Sequence, residues 1–420
     1  MHQDNHPDGI PRFLRDQVRE ALADTRVVGV VGPRQAGKST LVREIVAGSP
    51  AAEYVSMDDL EARSAADADP TGFVEARPGM LAIDEVQRVP DLLLAIKSSV
   101  DRDGRPGRFL ITGSSQLSAN RGVSETLTGR IERLTLWPFS QGELAGRRGA
   151  FLDLLLTGDL PTEFDSSLSK RDYLERALAG GFPEAVARRA SRRDTWFASY
   201  VETVVEREAP GVSASPRTAE LPRLLRLVAA RHAGILNVAN LASDAQLPRT
   251  SVQRYLDVLE AVFLTVRLPA WSPNLSQREV RAPKILLTDP GLAAHLRQVD
   301  VDTLVRPERA AGADGPIIEG FVTAELLRQT EWADRRRQLH HYRDRDSTEV
   351  DLVLEGGGRV AAVEIKAGGG ADGSAVRTLR HLRDRLGDRF AAGVVLHTGP
   401  HGRRLGDRLH SLPISAVWEL

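Results

Sequence analysis

The chain has 420 residues, no cysteine, and 56 basic against 57 acidic side chains, for a formal net charge of −1. The missing cysteines exclude disulfides, zinc–cysteine centres and thiol nucleophiles, and the balanced charge excludes a global field that gathers polyanions, so any nucleic-acid contact must come from local patches. No apolar run approaches the length of a membrane span, and the polar opening Met1-His2-Gln3-Asp4-Asn5-His6 has no apolar signal core; the expectation is a cytoplasmic protein of two or three domains that contacts no membrane.

The first predicted element is a buried strand, Val27-Val28-Gly29-Val30-Val31. It leads into Gly32-Pro33-Arg34-Gln35-Ala36-Gly37-Lys38-Ser39, a complete G-x-x-x-x-G-K-S phosphate loop, and then into an amphipathic segment, Thr40 to Val46, that reads as a helix. Strand, glycine loop and helix form the context this motif needs. The residues Gly32 to Thr40 are expected to bind ATP, with the loop N–H groups and the helix N-terminus on the β-phosphate. Lys38 would bridge the β- and γ-phosphates, and Ser39 would ligate Mg²⁺.

Met80-Leu81-Ala82-Ile83-Asp84-Glu85 reads as a second buried parallel strand with two acids at its C-terminal end, where open α/β sheets place ligands. Asp84 would hold Mg²⁺, directly or through water, and Glu85 would polarise the attacking water. A third strand, Arg108 to Ile111, ends in Thr112-Gly113-Ser114-Ser115. Ser114, with Thr112 as the lesser alternative, is a candidate sensor of the γ-phosphate. Arg130, in Leu127-Thr128-Gly129-Arg130, is a candidate arginine finger or sensor.

The stretch 151–220 is expected to be mostly helical after an exit from the sheet at 137–150, with a turn at Gly180-Gly181-Phe182-Pro183 and a linker at 209–218. Residues 219–270 read as three helices, the third starting at Arg249 or Thr250, followed by the apolar run Phe263 to Leu268: a winged helix-turn-helix pattern. Arg249, Thr250, Gln253 and Arg254 would face outward at the start of the third helix, where they could meet DNA. The same unit could equally serve as a packed lid.

Near the C-terminus, Glu349-Val350-Asp351-Leu352-Val353-Leu354, Gly356-Gly357-Gly358 and Val360 to Lys366 predict a β-hairpin. Alternation puts Glu349 and Asp351 on one face, and Glu364 and Lys366 on one face of the return strand. Asp351 and Glu364 could hold Mg²⁺ against a phosphodiester while Lys366 orients water. Arg335-Arg336-Arg337, Arg343 and Arg345 lie close enough in sequence to engage a phosphate backbone. An Asp followed thirteen residues on by Glu-x-Lys resembles the active-site pattern of restriction-endonuclease-like nucleases, and Glu319 matches the additional acid such nucleases use. The chain holds only five lysines, Lys38, Lys97, Lys170, Lys284 and Lys366, so a lysine inside a chemical motif is a stronger signal here than elsewhere.

Taken in order, Gly32 to Ser39, Ala82-Ile83-Asp84-Glu85-Val86-Gln87, Leu110 to Ser115, Leu127 to Arg130 and Gly180-Gly181-Phe182-Pro183-Glu184 resemble the prokaryotic AAA-type ATP-binding proteins with a C-terminal domain of unknown function. The resemblance runs from about Ile10 to Leu420. It implies an α/β fold: an AAA+ core over 1–150, a helical lid and winged helix over 151–275, and a restriction-endonuclease-like domain over 276–420. It also implies homo-oligomers whose sites a neighbour's arginine completes. The expected function is an Mg²⁺-dependent ATPase acting on branched or broken DNA or gating a nuclease; the alternative is a signalling, defence or toxin–antitoxin switch with a protein partner and an inert C-terminal fold.

Overall fold

A computed structural model of the chain describes residues 9–113, 127–209, 220–335, 337–344 and 348–420. Ser114, Ser115, nearly all of the 209–218 linker, Arg336 and Arg345 lie outside them.

Five strands build the first layer: the largely apolar β1 (Val27–Val31), β2 (Ala52–Ser56), β3 (Met80–Asp84) and β4 (Phe109–Gly113), and the half-polar edge strand β5 (Ile131–Thr135). All neighbours pair in parallel, in the order β2-β3-β4-β1-β5. A parallel sheet needs both faces covered. Helices α1 (Leu14–Asp24) and α2 (Lys38–Ala47) set Leu14, Val18, Leu41 and Ile45 against Val28, Val30 and Leu110 on one face. Helix α3 (Leu92–Arg102) sets Leu92, Ile96 and Val100 against Val27, Ile83 and Phe109 on the other. The chain leaves the sheet through Trp137 and enters α4 (Gln141–Ala145), opened by a capping box between Ser140 and Glu143.

Helix α5 (Phe151–Thr157) and the short strand β6 (Glu163–Asp165) belong to a different layer from the helices that follow, because β6 pairs antiparallel with residues 401–403 near the C-terminus. Three residues are too few to show a period of two, so the helical reading of this stretch missed the strand. The middle then runs through α6 (Lys170–Ala179), α7 (Ala190–Thr203), α8 (Leu221–Ala230), β7 (Gly234–Ile235), α9 (Val238–Ala245), α10 (Arg249–Ala261), β8 (Thr265–Leu268) and β9 (Lys284–Leu287). The three strands form an antiparallel sheet in the order β7-β9-β8. Leu224, Leu241, Val252, Leu256 and Leu259 close its core. The long β8–β9 connection does not stand free: Ala270 bridges His341, and the fully buried Trp271 packs on Tyr342.

After α11 (Pro290–Arg297), the 18-residue helix α12 (Asp314–Glu331) crosses between units over about 27 Å. A seven-stranded mixed sheet follows, from β10 (Gln338–Arg343), β11 (Glu349–Gly356), β12 (Arg359–Lys366), β13 (Phe390–His397), β14 (His401–Gly406) and β15 (Leu409–Pro413), in the order β10-β11-β12-β13-β15-β14-β6. The β11–β12 hairpin forms as expected, with Gly357 and Gly358 at φ 57° and 78° in its turn, a conformation open to glycine. Central strand β13 is buried throughout. Helix α13 (Gly373–Leu386) covers one face through Ala375, Leu379 and Leu382. Among the described residues no helix is long and apolar enough to cross a membrane.

Candidate functional site

The phosphate loop leaves β1 at the C-terminal edge of the parallel sheet. Gly32 sits at φ 146°, where a Cβ would meet Leu136 O at 2.2 Å, so only glycine fits between the loop and the strand beside it. Gln35 and Gly37 also hold positive φ, 59° and 95°, which curls the loop into the start of α2. Lys38 Nζ donates to Gly32 O and Pro33 O at 3.0 and 2.9 Å, so the ammonium lies across the loop mouth. A cavity of about 690 Å³ opens here; Arg34, Gln35, Gly37, Lys38, Ser39, Thr40 and Glu85 line one side, and Ile10, Pro11, Phe139, Pro183 and Glu184 the other. Gly180–Glu184 is therefore more than a turn: it walls the cavity, held by Phe139 N donating to Gly181 O at 2.7 Å.

The acids of β3 arrive at the same edge. Asp84 is buried and accepts from Thr112 Oγ1 at 2.5 Å and Tyr54 Oη at 2.9 Å. Thr112 in turn accepts from Glu85 N at 3.0 Å. The Thr112 hydroxyl thus orients the Asp84–Glu85 pair and is not free to act as a γ-phosphate sensor. Glu85 occupies the left-handed region (φ 56°, ψ 44°), a strained conformation for a non-glycine residue of the kind that gathers at functional sites. Its carboxylate accepts a short hydrogen bond from Gln87 Nε2. Burial, then the bond to Asp84, push the Tyr54 phenol above its ordinary value. An oxygen donor set of a hydroxyl, Ser39, and a carboxylate with an oriented neighbour shell fits Mg²⁺.

Arg130 is not at this edge. The pairing Val27↔Ile131 puts it beyond the start of β5, at the opposite end of the sheet from the loop that follows Val31. There it forms a bidentate pair with Asp101, at 2.6 and 3.1 Å. Arg130 therefore does not reach the phosphate site of its own chain.

Sequence reasoning missed a buried ionic junction that starts at the cavity wall with Arg12. Arg12 Nε pairs with Glu143 Oε1 at 3.0 Å, while its Nη1 and Nη2 donate to Ala36 O and Trp137 O at 2.7 and 2.5 Å. Burial holds this guanidinium below its ordinary value, against the pull of Glu143. Farther in, Asp289 accepts from Gly181 N, and Arg328 joins Asp289 to Glu325, whose other oxygen accepts from Gln141 N at 2.7 Å. Burial pushes the Glu325 carboxyl up to about 7. Helix α12 thus carries Glu325 and Arg328 into the junction that Arg12 starts at the cavity wall. Its other functional side chain, Glu319, faces the C-terminal cluster.

That cluster unites the residues expected of a nuclease centre. Ile365 N donates to Asp351 Oδ2 at 2.9 Å, setting Asp351 beside Glu364 across the hairpin. Lys366 Nζ lies 3.6 Å from Glu364. The centre, however, is filled by a residue the motif does not include. Lys284, from β9, is buried, with Nζ at 2.7 Å from Glu319, 3.0 Å from Glu349 and 3.3 Å from Asp351. Burial opposes its charge, but the carboxylates outweigh burial and hold the ammonium above its ordinary value. Burial and the Asp351 charge push the Glu319 carboxyl up to about 8 and the Glu364 carboxyl up to about 9, against the pull of Lys284. A divalent cation would have to displace the Lys284 ammonium, and among the described residues no group of three or more acids or histidines has the geometry to hold a metal. The expected Asp351–Glu364 metal site therefore does not fit this arrangement: an internal ammonium stands where the cation would.

Arg249, Thr250, Gln253 and Arg254 are all exposed on the first turns of α10. Gln253 Nε2 donates to Asp257 at 3.2 Å, and Asp257 also pairs with Arg267.

Residues 24–145 match the model of an AAA domain. Residues 170–303 and 314–417 match two models described as domains of unknown function, DUF8612 and DUF4143. Uncharacterized proteins of Mycobacterium tuberculosis and Mycobacterium bovis are each 28% identical over 403 residues, covering 96% of this chain and 83% of the relative. Among solved structures, a Walker-type ATPase of Pyrococcus abyssi is similar at 15% identity and a TM-score of 0.41, covering 68% of this chain and 94% of its own. AMPPCP-bound DnaA of Aquifex aeolicus is similar at 15% identity and a TM-score of 0.28, covering 58% and 86%. The parallel sheet, the phosphate loop and the AAA-domain match agree in giving the N-terminal unit a parallel-sheet P-loop core similar to AAA domains.

Proposed function

We propose that this chain is an Mg²⁺-dependent ATPase whose turnover is coupled to DNA held on the face of α10. The observation that carries the ATPase reading is the convergence of Lys38, Ser39 and Glu85 on one cavity at the C-terminal edge of the sheet, where β3 also ends in the buried Asp84. Lys38 would leave the loop carbonyls for the β- and γ-phosphate oxygens, while the N-terminus of α2 holds the β-phosphate. Ser39 and Asp84 would hold Mg²⁺, which supplies neutralisation of the phosphate oxygens. Glu85, steadied by Gln87, would take the proton of the attacking water. Phosphate release with and without single-stranded, duplex and four-way-junction DNA tests this, with Lys38→Ala as blank. Equal rates in wild type and Lys38→Ala would end the ATPase reading; DNA-indifferent turnover would end the coupling.

For the DNA face we rely on the helix–strand–helix–helix–strand order of 221–268, returning through the short helix Leu275–Val280 to the strand Lys284–Leu287, which supports a winged-helix reading, and on the exposed Arg249, Thr250, Gln253 and Arg254. The docked β8–β9 connection leaves α10 as the free element. Assembly of several copies would bring a neighbour's Arg130 to the cavity. For the C-terminal unit we propose a restriction-endonuclease-like fold that does not cut in this arrangement, because Lys284 neutralises the acids a metal would need. That same observation favours the second reading, an ATP-controlled switch acting on a protein partner, should turnover ignore DNA.

A further inference from the structure

We infer that Arg12 is a positioning residue of the phosphate loop: by holding the Ala36 carbonyl it aims the Gly37 N–H into the phosphate cradle. The inference rests on the ATPase reading above and adds a residue outside every motif of that reading. In a planar trans peptide the C=O and the following N–H point in opposite directions. Arg12 Nη1 donates to Ala36 O at 2.7 Å, so the Gly37 N–H of the same peptide points away from Arg12, toward the loop's own hollow. Gly37, at φ 95°, has no side chain to resist that orientation. An untethered peptide there could rotate and present its carbonyl to the phosphates, replacing a donor by a repelling dipole.

The guanidinium is itself fixed on every side. Its Nε pairs with Glu143, and Nη2 donates to Trp137 O. Its plane lies over the Phe139 ring, 4.5 Å from the centroid. Glu143 is held in turn by Phe13 N and Ser140 N, both at 3.0 Å. Arg12 lines the same cavity as Gly37 and Lys38, but its guanidinium is engaged by Glu143, Ala36 O and Trp137 O, so its reach to the nucleotide runs through the loop.

The test is the preference of the full chain for ADP over AMP, measured with fluorescently labelled nucleotides, because only ADP carries the β-phosphate the Gly37 N–H would meet. Arg12→Met should cut that preference about tenfold or more, the scale of a lost hydrogen bond to a charged group. Arg12→Lys, which can keep one donor, should fall between. Glu143→Gln removes the ion pair but leaves the bond to Ala36 O; it should lower the unfolding midpoint and keep the preference. An unchanged ratio in Arg12→Met, or an equal loss in Glu143→Gln, overturns the inference. If Arg12→Met does not fold, Arg12→Lys decides: a wild-type ratio there overturns it. Wild type without any ADP preference, or Lys38→Ala binding like wild type, brings down the ATPase reading itself and Arg12's role with it.

Discussion

Lys284 Nζ lies 2.7 Å from Glu319 Oε1, joining a strand of the middle unit to the helix that opens the C-terminal one. The lysine also meets Glu349 and Asp351 and is 2% exposed, so it is the counter-ion of a buried acid cluster. Lys284→Met should destabilise the fold by about 3–5 kcal/mol, the usual result of removing one partner of a buried ion pair and leaving charge behind. Denaturant unfolding measures it. Adding Asp351→Asn should recover part of the loss; a double variant no more stable than the single would show that Lys284 acts by packing instead.

How much of this was legible in the sequence follows from range. The phosphate loop and the Asp84–Glu85 pair are local signals, strand then loop or acid, and the structure brings them to one edge. The β11–β12 hairpin was equally readable, since a period of two and a glycine turn lie within eighteen residues, Glu349 to Lys366. Lys284 was not, because its role depends on β9 crossing to a cluster whose nearest acid in sequence is thirty-five residues away. Arg12 was hidden for the same reason: its partners Ala36, Trp137 and Glu143 are scattered along the chain. The Arg130 expectation named a residue type without a location, and strand register supplied the location.

Glu85→Gln separates binding from chemistry. The substitution keeps the shape and the bond network of the side chain while removing the base. ATP affinity should stay near wild type, while turnover falls by about 10²–10⁴, the range for a lost general base. Labelled-ATP binding and steady-state phosphate release read the two arms. Turnover that survives Glu85→Gln would assign the water-activating role elsewhere.

Arg130→Ala should leave ATP affinity unchanged, because the residue lies beyond the far end of β5 and pairs with Asp101. Any effect on turnover should depend on protein concentration, as expected of an arginine supplied by a neighbouring copy. A loss of turnover that is constant on dilution to monomer would contradict the placement of Arg130 outside its own site.

The α10 face gives a salt-dependent signal. If Arg249 and Arg254 meet phosphates, each Ala substitution should weaken duplex binding and lower the slope of log affinity against log salt by about 1. Gln253→Ala should change affinity less and leave the slope alone, since a neutral amide releases no counter-ion. Binding curves over a range of salt distinguish these, and slopes unchanged in both arginine variants would remove DNA from this face.

The acid cluster predicts how stability moves with pH. Glu319 and Glu364 have folded-state values of about 8 and about 9, both above the ordinary 4.5. In the window from 4.5 to 9 the folded state therefore binds more protons than the unfolded one, and stability must fall as pH rises. The contribution is full below pH 4.5 and gone above the folded values. Glu325, pushed up to about 7, adds a fall of the same sign that ends sooner. The experiment compares wild type with Glu319→Gln/Glu364→Gln across pH 5 to 9 by thermal unfolding. The buried histidines, held below their ordinary value, act with the opposite sign below about pH 6.5 in both proteins, so the difference between the curves carries the prediction: wild type should lose its midpoint advantage over the double variant toward pH 9. Parallel curves would mean that the cluster is ionised throughout and that Lys284 faces full carboxylates, in which case a divalent cation would compete only with Lys284 and the metal-free reading of this centre would need revision.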